Sequence, residues 1–115
     1  MSDLAPGQLT DGLAVAVPHE ALPASDVVSG EPTAGVTELG SFGGVELGIW
    51  EMTPGVATDT EADEVFIVLS GRAVIEFTER AIPPIEVVAG SIVRLTAGMR
   101  TTWTVTETLR KVYLA

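Results

Sequence analysis

Apolar and polar positions alternate along most of this chain in short runs, and glycine or proline breaks them before a helical period can build up. The runs Leu13–Val17, Val45–Met52, Val65–Leu69, Arg72–Thr78, Ile85–Val88, Ser91–Leu95, Thr101–Glu107 and Leu109–Leu114 are rich in β-branched and aromatic residues. Between them stand Pro18, Pro23, Gly30, Pro32, Gly43-Gly44, Pro54-Gly55, Gly71, Pro83-Pro84, Gly90 and Gly98. Strands recurring at roughly 8 to 12 residues with such turn signals predict an all-β sandwich or barrel. The pattern shows no internal repeat, no low-complexity tract and no linker, so a single domain is expected.

Period-two alternation sorts the side chains into faces. In Arg72–Thr78, Ala73, Ile75 and Phe77 form a wholly apolar face, opposite Arg72, Val74, Glu76 and Thr78. In Glu64-Val-Phe-Ile-Val-Leu-Ser-Gly71 both faces are apolar except at Glu64, which shares its face with Phe66 and Val68. That pattern suits a strand buried on both sides, ending in a tight Ser-Gly turn. In Thr101–Glu107 the aromatic face places Thr101, Trp103 and Val105 inside. A carboxylic acid and a tryptophan are therefore expected to share an interior.

The ordered set Gly48-Ile-Trp50-Glu-Met-Thr-Pro-Gly55, Asp63-Glu64, Val68-Leu-Ser-Gly-Arg72, Ala89-Gly90-Ser, Thr96-Ala-Gly98, Thr102-Trp103-Thr-Val105 and Arg110-Lys-Val-Tyr113 resembles the small single-domain cupins related to (S)-ureidoglycine aminohydrolase and to the ethanolamine-utilisation cupin. The resemblance implies a double-stranded β-helix, a cupin jelly-roll barrel with one open mouth, and a homodimer. It divides the chain into an arm over residues 1–35, with an edge strand at Leu13–Val17, and a barrel over residues 36–115. An arm of this kind can cover a sheet edge of its own or a neighbouring subunit.

Many cupins hold a metal on two histidines of an H-x-H motif, a glutamate and a further histidine. Here the spacing to Gly71 puts Glu64 at the glutamate. The histidine pair then falls on Thr58 and Thr60, or on Ala57 and Asp59, and the later histidine on Thr101. A catalytic transition-metal site takes about three protein ligands, with imidazole the commonest. No tightly bound cofactor is therefore expected. A weak divalent cation, held by Glu64 with Asp59 or Asp63, is the remaining metal reading, since hard ions accept oxygen ligands.

The candidate ligand-binding residues are Trp50, Thr58, Thr60, Glu64, Phe66, Met99, Thr101 and Trp103, with Glu64 the candidate catalytic group. An acid in an apolar barrel needs a cation or several donors. Glu64 could bind an amine or transfer a proton beside Trp103 and Trp50; alternatively it bonds Thr58, Thr60 or Thr101 and only orders the mouth. Two functions follow. One is a small-molecule-binding cupin without tight metal, accessory to the metabolism of nitrogenous compounds. The alternative is a metal-dependent hydrolase of the ureidoglycine aminohydrolase type, acting on a C–N bond.

Charge narrows the partners. The 115 residues carry a net charge of −10 at pH 7, which disfavours nucleic acid and anionic membranes. A small-molecule ligand and a second copy of the chain are the partners expected. The absence of cysteine removes disulfide and thiolate chemistry, and no signal segment is readable at the start, so a cytoplasmic location is expected. Three further features read as surface: His19 as an exposed turn residue, the run Asp59, Glu61 and Asp63 as a solvated loop, and Arg110-Lys111 as surface charge.

Overall fold

Two long strands organise the molecule, and they are the two that carry the site. The computed structural model describes residues 4–79 and 81–115. In chain order its strands are β1 (Glu20–Ala21), β2 (Val27–Ser29), β3 (Thr33–Phe42), β4 (Val45–Met52), β5 (Gly55–Thr60), β6 (Glu64–Phe77), β7 (Ile85–Val88), β8 (Ile92–Leu95) and β9 (Arg100–Leu114). Every pairing is antiparallel. One half of β9 (Arg100–Val105) lies between β5 and the end of β6; the other (Leu109–Leu114) lies between β4 and the start of β6. β6 in turn pairs with β8 through Glu64–Ile67 and with β7 through Arg72–Ile75. The sheet curls around these shared strands into an all-β barrel, as the alternation predicts, with the jelly-roll form that the resemblance implies. Among the described residues no helix is long and apolar enough to cross a membrane.

The predicted turn at Ser70-Gly71 is instead a bulge inside β6. The pairing of β6 with β9 slips between Val68 and Ala73, and Gly71 adopts φ +92°, with no room for a Cβ beside the Thr108 carbonyl. A bulge changes which alternate residues face inward. Before it the inward set is Glu64, Phe66 and Val68; after it, Ala73, Ile75 and Phe77. The change of phase is why one continuous strand reads as two. The same corner hides the continuity of β9 across Thr108.

Leu13–Val17 is not a strand. Asp11 captures the local amides instead, its side chain bonding Leu13 N at 3.0 Å and its carbonyl accepting from Ala14 and Val15. The carbonyls of Gly12, Val15 and Ala16 are taken by the side chains of Arg110 and Thr37. This segment lies over the outer face of β4 and β9. Glu51 fastens it, accepting from His19 Nε2 at 2.7 Å and Arg110 Nη1 at 2.9 Å. His19 is thus a half-buried latch rather than an exposed turn residue, and Arg110 is a buried cation beneath the arm.

Strands β3 and β5 are absent from the predicted set, because Gly35, Gly40 and the polar run Thr58–Thr60 dilute their β signal. The core itself follows the alternation. Phe66, Ile75, Leu95 and Leu109 are fully buried, each such side chain contributing about 1.5–3 kcal/mol. Met52, Ala57 and Trp103 belong both to this core and to the wall of a cavity beside it.

Candidate functional site

The cavity encloses about 300 Å³, small for a ligand site. Its apolar wall comes from Trp50 and Met52 of β4, Ala57 of β5 and Trp103 of β9, with Leu22 and Val36 at the edge. Its polar wall comes from Asp26, Thr58, Asp59, Glu61, Glu64, Lys111 and Tyr113. Register explains the convergence. Ala57 lies opposite Trp103 across β5 and β9, while Trp50 lies opposite Lys111 across β4 and β9, and Val68 of β6 lies opposite that same lysine.

Lys111 links the polar wall to the aromatic one. Its Nζ donates to Glu64 Oε2 at 2.7 Å and lies 4.2 Å from the Phe66 ring centroid, 4.7 Å from that of Trp50 and 4.9 Å from that of Trp103. Side-chain exposure is 6% for Lys111 and 14% for Glu64, so the pair is desolvated and has little water to compete with it. The rings also brace one another: Trp103 is 5.6 Å from both Trp50 and Phe66, tilted to each. Ring faces attract a cation electrostatically, and more strongly when water is excluded.

Glu61 forms the second polar cluster. Its Oε2 accepts from Thr101 Oγ1 at 2.6 Å and from Trp103 Nε1 at 3.0 Å, which fixes the indole plane and satisfies a buried N–H. Its backbone is held as well, by Met99 O and Gly98 N. Asp59, on β5 beside it, has its pKa raised to about 6, first by burial of the carboxyl and then by the Glu61 charge, with Lys111 pulling the other way. Tyr113 has its pKa raised by burial and by Glu38, Glu46 and Glu64. The Tyr113 ring covers Gly48 on β4, where any side chain would collide with it.

The eight residues predicted from sequence to hold a ligand are distributed unevenly. Trp50, Thr58, Glu64 and Trp103 line the cavity. Phe66 lies fully buried beneath Lys111. Thr101 is buried behind Glu61, and Thr60 lines a wider polar depression that shares Asp26, Thr58 and Asp59 with the cavity. Met99 is buried, its sulfur accepting from Thr96 N, and is not part of the cavity wall.

Two surface assignments are corrected. Glu61 is 8% exposed and Lys111 is 5% exposed; neither is solvated, because the loop and β9 turn both inward. Lys111 carried a legible signal, since alternation along β9 places it on one face with Leu109 and Tyr113. Glu61, in a short connection between strands, carried none. Glu64 bonds to Lys111, not to the threonines Thr58, Thr60 or Thr101.

The residues present do not fit a transition ion. The histidine positions of the cupin pattern hold Thr58 and Thr60, or Ala57 and Asp59, with Thr101 later, none of them an imidazole; Glu64 is already bonded to an ammonium, and Asp63 is turned away to accept from Ala97 N. Among the described residues no group of three His, Cys, Asp or Glu side chains is placed to hold a metal.

Comparison with known proteins agrees with this architecture. The EutQ-like cupin domain family matches residues 39–113. The EutQ protein of Clostridium difficile superposes with a TM-score of 0.63 at 17% identity, over 82% of this chain and 73% of that one. A Pseudomonas syringae protein of unknown function superposes with a TM-score of 0.72 at 24% identity, over 90% of this chain but 45% of its own. A Rhizobium leguminosarum protein of unknown function gives 0.62 at 25% identity, over 70% of this chain and 78% of that one. No curated protein matches the sequence.

Proposed function

The chain belongs to the EutQ-like cupin domain family, and from that premise we propose that it is a small-molecule-binding cupin whose ligand sits in the barrel-mouth cavity and carries an amine. One observation carries this reading: four carboxylates, Asp26, Asp59, Glu61 and Glu64, line a cavity whose wall includes a single cation, Lys111. Lys111 neutralises Glu64, and Glu61 is engaged by two neutral donors. Asp26 and Asp59 remain to receive positive charge. Tryptophan faces beside them favour a cationic group over a neutral one.

The chemistry needs no metal. The alternative, a metal-dependent C–N hydrolase of the ureidoglycine aminohydrolase type, requires ligands that the cavity does not assemble, and no catalytic step is assigned to Glu64. Homodimerisation and a cytoplasmic setting complete the proposal, as the small cupins that this chain resembles suggest.

Thermal-shift screening against small amines, ureides and short carboxylic acids tests the reading, paired with elemental analysis of untagged protein. A ligand at a hundredfold excess over its Kd stabilises by about 2.7 kcal/mol. Stabilisation by amines in metal-free protein supports the proposal. Stoichiometric manganese, zinc or nickel would overturn it in favour of the hydrolase.

A further inference from the structure

Lys111 is the only lysine in the chain, and it is buried at the wall of the cavity. Lysine is among the residues least often buried, because its ammonium loses hydration that neighbours must replace. An apolar side chain of the same length would fill the space between Trp50, Phe66 and Trp103 without that loss. The ammonium has three N–H donors. One goes to Glu64 Oε2, and among the described residues Nζ has no second hydrogen-bond acceptor. The rings attract its charge but do not use its donors as a carboxylate does. Lys111 therefore faces the cavity with donors to spare.

Two other lining groups have the opposite character. Asp26 and Asp59 line the same cavity, and neither is paired with a cation among the described residues. Lys111 and Asp59 are near enough for the ammonium charge to act on the carboxyl. Within about 300 Å³ the cavity thus joins an ammonium with spare donors, paired to Glu64, and two carboxylates that have no cation partner among the described residues.

We infer that Lys111 anchors a carboxylate of the ligand while Asp59 and Asp26 receive its amine, so that the ligand class is a small zwitterion carrying both groups. Glu64 is a positioning residue: it holds the Lys111 ammonium against the rings and does not itself touch the ligand. The inference rests on the cavity being the ligand site and adds the second charged group to the amine already proposed.

Calorimetric titration with three matched probes, β-alanine, propylamine and propionate, tests it. The zwitterion binds about tenfold tighter than either single-charge probe, as a charge-assisted hydrogen bond within a buried site implies. Lys111→Met brings β-alanine and propylamine to equal affinity. Glu64→Gln lowers the ratio between those two probes while leaving propylamine binding in place, whereas a merely structural role would weaken both alike. Propylamine binding as tightly as β-alanine to the wild-type protein overturns the inference and leaves the amine reading standing. That comparison needs no variant, so it decides the matter even if Lys111→Met fails to fold. Failure of every amine in the screen overturns the amine reading itself.

Discussion

Replacing Lys111 by methionine keeps most of the length and volume of the side chain but leaves the Glu64 carboxylate without its cation. At 2.7 Å the attraction between two unit charges is about 6 kcal/mol at an effective dielectric of about 20. Desolvating both ions costs a comparable amount, so the intact pair contributes little net stability. Removing one partner is different, because the other stays buried and uncompensated. Breaking such pairs typically costs about 3–5 kcal/mol. With Glu64 14% exposed at the cavity edge, the low end applies, and Lys111→Met should cost about 3 kcal/mol. Glu64→Gln should cost less, about 2 kcal/mol, since the three rings continue to hold the ammonium. The double variant should return to within about 1 kcal/mol of the wild type, giving a coupling of about 4 kcal/mol. Urea denaturation followed by tryptophan fluorescence reads all four proteins directly, because the chain's two tryptophans, Trp50 and Trp103, are both cage walls. Single-variant losses that add in the double variant to within about 0.5 kcal/mol would refute the buried pair.

Asp59 sets a pH dependence. Its folded pKa of about 6 lies above the ordinary 3.8, so the stability linked to its proton is full below the unfolded value and is lost as pH rises through 6. Asp59→Asn should therefore be more stable than the wild type at pH 7 and equal to it near pH 3, as thermal melts across that range would show; amine affinity of the wild type should rise through pH 6 and that step should vanish in the variant. Gly71→Ala places a Cβ against the Thr108 carbonyl at φ +92° and should cost at least about 2 kcal/mol in chemical denaturation; a neutral outcome would remove the bulge from the account of β6. Glu51→Ala frees both His19 and Arg110; amide exchange over residues 12–19 should speed up while β6 and β9 keep their protection, at a cost of about 2–4 kcal/mol given that Arg110 is 9% exposed. Unchanged exchange in the arm would show that Glu51 does not fasten it.

Period-two alternation made the interior of this barrel legible. Phe66, Val68, Ala73, Ile75, Trp103 and Val105 all lie where it places them, because packing in a curled sheet obeys the pleat. Strand ends were less legible. The bulge at Gly71 looks like a turn in a linear reading, since glycine with φ > 0 serves both. Glycines within β3 concealed a strand for the converse reason. At the site, Trp50, Glu64 and Trp103 were legible from faces and spacing. Glu61 was not, and the signal of Lys111 in the β9 alternation was outweighed by the rule that charged residues are solvated, a rule that holds until burial supplies each with a partner. Glu64 gains its counterion from a residue 47 positions later in the chain, a contact that β6–β9 pairing creates and no local pattern announces.

The single lysine also makes the central claim directly measurable. In protein labelled with ¹³C and ¹⁵N at lysine, NMR should show one side-chain resonance set with its ε-methylene shifted upfield by the Trp50, Phe66 and Trp103 rings. That set should persist unchanged on adding manganese(II) and should move on titration with β-alanine. A lysine signal at the position of a solvated side chain, or one broadened away by stoichiometric manganese, would contradict an ammonium resident in the cavity in place of a metal.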